Sequence, residues 1–176
     1  MSKIKLLVLL FWVLTVASCK KANTYKRNGF TYNNMFIGTE LLGIRKVSGA
    51  PGLEIGISSP WIDSSEMMGR TGYPFSDFSL FMNSPVDTDL VAGTYVPGDI
   101  WSGNPYVFNM YDFIHIGCDT TVDFATFSCT DYLTITGGNI NVEREGNIYI
   151  INYSFDIDNG QKLVGYYKDP YDYFHQ

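Results

Sequence analysis

The chain has 176 residues, of which 45% are apolar, 16% aromatic and 17% charged, with a formal net charge of −6. That composition excludes a disordered chain, which needs high charge and few aromatics, and a long coiled coil, which needs helix-favouring residues. From Cys19 onward there are 14 Ile, 8 Val, 11 Phe and 13 Tyr against 7 Leu and 4 Ala, side chains that fit a pleated, half-buried surface, so one all-β domain is expected.

The first element in chain order is an address. Lys3 and Lys5 precede an uncharged run from Leu6 to Val16, too short to cross a bilayer, which takes about 20 apolar residues. A basic start, a short apolar core and small residues make a secretory signal, assigned to residues 1–18. Val16-Ala17-Ser18-Cys19 resembles the lipobox of bacterial lipoproteins. The resemblance implies that Cys19 is acylated, in the manner of palmitate-bearing lipoproteins, and becomes the first residue of a membrane-held chain. Loss of Lys3 and Lys5 with the signal takes the formal charge from −6 to −8.

Lys20, Lys21, Lys26 and Arg27 follow in a polar stretch read as a flexible tether, residues 19–29. Beside a lipid anchor such cations favour anionic headgroups by about 1 kcal/mol each; the plainer reading is that they keep the tether soluble. Lys20 stands where enterobacteria place an aspartate to retain lipoproteins at the inner membrane, so the resemblance implies the outer membrane. Some Bacteroidetes lipoproteins carry an acidic run after the cysteine that sends them to the surface. Lys20-Lys21-Ala22-Asn23 lacks it, and periplasmic and surface-facing placements both stand.

Residues 30–176 read as a single domain without 3.6-residue periodicity or an internal repeat. Phe36 to Val47, Leu53 to Ser58, Asp77 to Met82 and Tyr106 to Gly117 have the composition of strands. Between them lie Ser48 to Gly52, Asn83 to Pro85 and Gly98 to Asn104, rich in turn formers, and the long loop Ser59 to Pro74. The C-terminal third is clearest. Ile140 and Val142 alternate with Asn141 and Glu143, and a turn follows at Glu145 to Asn147. Tyr149, Ile151, Tyr153, Phe155 and Ile157 then share one face, with Asn152, Ser154 and Asp156 on the other. Asp158-Asn159-Gly160 suits a tight hairpin, and Leu163 to Tyr167 returns. The expectation is a three-stranded antiparallel meander inside an antiparallel β-sandwich, with a β-barrel as the alternative.

Leu90-Val-Ala-Gly93-Thr94-Tyr95, Gly137-Gly138-Asn-Ile140-Asn-Val142, Gly146 with Tyr149-Ile-Ile151-Asn-Tyr153-Ser-Phe155, Asp158-Asn-Gly160 and Gly165-Tyr166-Tyr167 follow in order. The pattern, over residues 90–176, resembles small secreted or lipid-anchored β-sandwich proteins of the Bacteroidetes, most of them of unknown function. It implies fold and anchoring, and transfers no catalytic residue.

Candidate chemistry is sparse. His115 lies in a strand-like run and His175 near the C-terminus, with no Ser- or Cys-centred motif and no paired Cys/His spacing, so neither a triad nor a zinc centre is expected. Cys118 and Cys129 suit a disulfide staple between neighbouring strands; two buried thiols are the alternative. Nine acids and no Lys or Arg lie between Arg70 and Arg144, which argues against nucleic acid as a partner. Asp87 with Asp89, and Asp156 with Asp158, are weak calcium candidates without full EF-hand spacing; turn capping is the competing reading. No cofactor is expected. Trp61, Tyr73, Trp101, Tyr106 and Tyr111 fall in loops, where rings beside Asn and Asp suit sugar faces, or else plug the ends of a sandwich. The leading expectation is a non-catalytic ligand- or glycan-binding module, with a structural or protein-interaction component of the outer membrane as the alternative. A hydrolase would need a carboxylate pair or a His115-centred site in a cleft.

Overall fold

The computed structural model describes residues 26–46, 49, 51–59, 62–63, 68–69, 75–120, 127–170 and 172–173. Among them the strands in chain order are β1 (Gly29–Tyr32), β2 (Met35–Gly38), β3 (Leu41–Lys46), β4 (Leu53–Ser58), β5 (Ile62–Asp63), β6 (Met68–Gly69) and β7 (Phe75–Asn83). They continue as β8 (Gly93–Pro97), β9 (Val107–Phe108), β10 (Phe113–Thr120), β11 (Phe127–Ser128), β12 (Asp131–Glu145), β13 (Ile148–Ile157), β14 (Lys162–Pro170) and β15 (Asp172–Tyr173). A 3-10 turn at Ile100–Ser102 follows β8, capped by the Asp99 carboxylate, which accepts from the Trp101 N–H. The fold is all-β.

Two sheets face each other. The first runs β8-β12-β13-β14-β1-β2 and contains the meander β12-β13-β14; the second runs β15-β3-β4-β7-β10 and takes up the start of β12. β12 belongs to both. Asp131 to Thr134 pair with β10, while Ile135 to Glu145 pair with β13. The strand bends at a register shift between Ile135 and Gly137. Gly138 follows at φ +120°, where a Cβ would fall 2.0 Å from the Ser154 carbonyl oxygen, so only glycine fits this pivot. Because β9 pairs with both β7 and β8, the strands β7-β9-β8-β12-β10 close into a ring. The sandwich and barrel expectations therefore meet in one molecule: facing sheets, joined along one side by a closed five-stranded ring.

Alternation explains the core. Tyr149, Ile151, Tyr153, Phe155 and Ile157 of β13 are buried, as are Ile55 and Ile57 of β4 and Phe78, Leu80 and Met82 of β7. The sheets interlock through rings: Phe78 meets Tyr153 and Phe155 edge-on at 4.9 and 5.4 Å, and Phe108 meets Phe155 at 5.9 Å. Each fully buried side chain of this kind contributes about 1.5–3 kcal/mol.

Two expected strands are divided. Phe36 to Val47 breaks at Thr39-Glu40, where the Thr39 N–H bonds to Asn28, just ahead of β1, and the Glu40 N–H to Ser58 of the second sheet. The chain crosses between sheets there, which local hydrophobicity does not reveal; Val47 lies outside the described residues. Tyr106 to Gly117 breaks into β9 and β10 around a turn, with Tyr111 at φ +73°. The Asp112 carboxylate stitches that turn, accepting from the Phe81 N–H and from Asn109, each at 2.9 Å. At the other end, residues read as tether lie on the domain. Gly29 pairs with Tyr166 and Gly38, and Asn28 Oδ1 accepts from the Lys168 N–H at 2.7 Å.

Candidate ligand-binding face

Of the loop aromatics, Trp101, Tyr106 and Tyr111 are described. Trp61 and Tyr73 lie outside the described residues. Trp101 stands 69% exposed on the 3-10 turn and Tyr111 67% exposed between β9 and β10. Tyr106 is half-buried, packed edge-on against Tyr95 at 5.3 Å, which makes it support for the core.

The calcium candidates are mostly taken by cations. Asp87 pairs with Lys46, Asp89 with Arg144 and the Tyr149 hydroxyl, and Asp156 with Lys162; Asp158 sits in the β13–β14 turn. The Lys46 hydrogen bond and charge hold the Asp87 carboxyl below the usual range. Burial pulls the Asp89 carboxyl upward, but the Tyr149 and Arg144 bonds outweigh it and hold it low. Among the described residues no three His, Cys, Asp or Glu side chains converge as a metal centre. The Cys118 and Cys129 sulfurs are bonded, joining β10 to the residue after β11.

The arrangement that the sequence concealed lies on the outer face of the first sheet. Register places Thr94, Asn141, Asn152, Tyr166 and Gly29 in one row across β8, β12, β13, β14 and β1. A second row runs Asn139, Ser154, Val164, Thr31 and Phe36 from β12 to β2. These positions point outward because their neighbours point into the core. Gly29, at φ +147°, is what lets the two rows close up: its missing Cβ would meet the Phe36 ring at 2.6 Å. Phe36 thus leans into the gap beside Tyr166, itself half-exposed.

The rows line an open groove of about 420 Å³. Thr94 donates to Asn141 at 3.1 Å, and Asn141 donates to Glu143 at 3.1 Å. Lys26 Nζ donates to Asn152 Oδ1 at 2.7 Å and lies 4.9 Å from the centre of the Tyr166 ring. The side chains of Asn139, Ser154 and Thr31 make no hydrogen bond among the described residues. Outward amides and a hydroxyl on alternating strand positions, Asn139-x-Asn141 and Asn152-x-Ser154, were the signal available in the sequence; only register shows that they adjoin.

The outer face of the second sheet is different. Gly43 lies opposite Gly56 on adjacent strands and floors a depression of about 200 Å³ beside Leu41, Ser58 and Asp77. Glu54 accepts from Arg45 and from Ser79, each at 2.7 Å. His115 Nδ1 lies 2.8 Å from Asp77 Oδ1, and its ring meets Tyr132 edge-on at 5.5 Å. Asp77 is opposite Ser58, four residues along β4 from Glu54, so roughly 14 Å of strand separates the two carboxylate positions. A paired-carboxylate glycosidase holds its groups at roughly 5–9.5 Å. Burial lifts the Asp112 carboxyl above its usual range, against the Phe81 and Asn109 bonds, with the Glu54 charge adding to the rise; both its oxygens serve the β9–β10 turn.

Comparison with protein-family profiles, curated proteins and solved structures finds no match to this chain.

Proposed function

We propose that this chain is an acylated, outer-membrane-anchored lipoprotein whose domain binds a glycan, without catalysis, on the outer face of the first sheet. The observation that carries the reading is the double row of amides and hydroxyls beside Tyr166 and Phe36. Sugars offer hydroxyls to amide donors and acceptors and apolar ring faces to aromatic side chains, and this face supplies both. Anchoring rests on the resemblance of Val16 to Cys19 to a lipobox and on the likeness to Bacteroidetes lipoproteins.

The test is a glycan-array and calorimetric screen with the full chain in detergent. We expect binding to at least one glycan class, weakened at least tenfold by Tyr166→Ala and by Asn152→Ala with melting temperature retained. Binding that persists in both variants would remove the proposed face. Protease treatment of intact cells then places the domain: rapid loss with a periplasmic control preserved means the surface, protection means the periplasm.

A second reading, a protein-interaction component of the envelope, is favoured by β2. Among the described residues it ends its sheet, exposing Met35 (59%) and Phe36 (51%), and an unpaired edge is a template for another strand.

A further inference from the structure

We infer that the ligand of the first sheet's outer face is an acidic polysaccharide lying across the strands, with a carboxylate seated at Lys26 and Arg27. The inference rests on the glycan reading above and goes beyond it in the charge and shape of the ligand.

The whole chain holds 18 acidic and 12 basic residues, yet Lys26 and Arg27 line the groove and no carboxylate does among its described lining residues. Local sign therefore opposes overall sign, so the groove attracts an anion. Lys26 is also pre-positioned. Its ammonium has three donors; one is spent on Asn152, and the Tyr166 ring holds the cation in place from 4.9 Å. The remaining N–H groups can make charge-assisted bonds to a sugar carboxylate. Arg27, exposed next to it, offers a planar fork for the same group.

The ladder sets the shape of the ligand. Neighbouring strands lie about 4.8 Å apart, close to the length of one pyranose unit in an extended chain. Asn139 and Asn141, Asn152 and Ser154, Tyr166, and Thr31 stand on four successive strands, so a chain crossing them meets a polar group or a ring at each step. Affinity then grows with chain length to about four sugars, the number of strands crossed. A single-stranded nucleic acid also combines charge with stacking, but two cations on a net acidic protein are too few to hold a polyphosphate.

The experiment measures binding of the full chain, in detergent, to oligomers of polygalacturonate, alginate and hyaluronan, and to the methyl ester of the polygalacturonate oligomers. We expect at least one acidic oligomer to bind. Its affinity should fall at least tenfold on esterification or neutralisation of its carboxylates, in the double variant Lys26→Gln with Arg27→Gln, and between 50 and 500 mM salt. Lys162→Gln, which removes a cation outside the groove, should leave it unchanged. A monosaccharide bound as tightly as a tetramer would overturn the cross-strand arrangement. Neutral glycans bound as tightly as acidic ones, with loss on Tyr166→Ala, would overturn the charge inference and leave the glycan reading intact. Binding to no glycan, or tighter binding to a single-stranded oligonucleotide than to any oligosaccharide, would overturn both.

Discussion

The outer faces of the two sheets arise from the same alternation and differ in how far their polar groups are committed. On the second sheet Glu54 is held by Arg45 and Ser79, and Asp77 by His115, so charge there is consumed within the protein. On the first sheet Asn139, Ser154 and Thr31 keep their hydrogen-bonding capacity for something else. The β-strand period decides which residues face out; it does not decide whether they satisfy one another. The uncommitted groups, the Asn139 amide and the Ser154 and Thr31 hydroxyls, gain most from a hydroxyl-rich ligand, because each new bond there replaces water without breaking an internal contact.

The comparison is broken most severely from within. Phe155 touches Phe78, Phe108 and Tyr153 and so serves both sheets. Phe155→Ala should cost about 3–5 kcal/mol, read by urea denaturation, and should abolish glycan binding and second-sheet order together. If only one face were lost, the sheets would be separate units. The disulfide discriminates better, since Cys118 and Cys129 brace β10 of the second sheet. Replacing both by alanine should cost about 2–3 kcal/mol and leave the affinity of the folded protein for its glycan unchanged.

Smaller effects sharpen the contrast. Asp89 joins the β7–β8 connection to Arg144 and Tyr149 near the β12–β13 hairpin. Its carboxyl titrates below the usual range when folded, so its contribution is present above the unfolded value of about 3.9 and is lost as pH falls through the folded value. Asp89→Asn should therefore cost about 1 kcal/mol at pH 7, with the difference from the parent shrinking as pH falls through the folded value, measured by denaturation across an acid titration. Glu54→Gln should cost no more than about 0.5–1 kcal/mol, as expected for a partly exposed pair, and leave glycan titrations unaltered. A loss of binding in that variant would mean that the second face takes part.

The sequence reading succeeded where structure is local. The Tyr149 to Ile157 alternation, the Gly146 turn and the Asn159-Gly160 hairpin each fix their conformation within a few residues, and β4 has the bounds its composition suggests. It fell short where partners are distant. Nothing near Thr39 signals that the chain changes sheets, and nothing in Ile135 to Gly138 alone signals that β12 serves both. The candidate face was missed for the same reason. Asn141, Asn152 and Tyr166 are separated by turns in the chain, and only the β12-β13-β14 register sets them side by side. Trp101 and Tyr111, conspicuous as letters, are exposed rings that do not line the groove.

One feature at the start of the domain carries a mechanical consequence. β1 is gripped on both edges, by β14 and by β2, and Asn28 is tied to Lys168 just ahead of it. Were the domain held by its N-terminus, as proposed, tension would enter the fold along this strand. Traction along β1 shears the ladders on its two sides at once, where a strand peeled from an edge would yield bond by bond. The groove that would hold the glycan includes β1 and β14 themselves, so a load between a bound polymer and the membrane crosses a short, doubly supported path and spares the rest of the molecule.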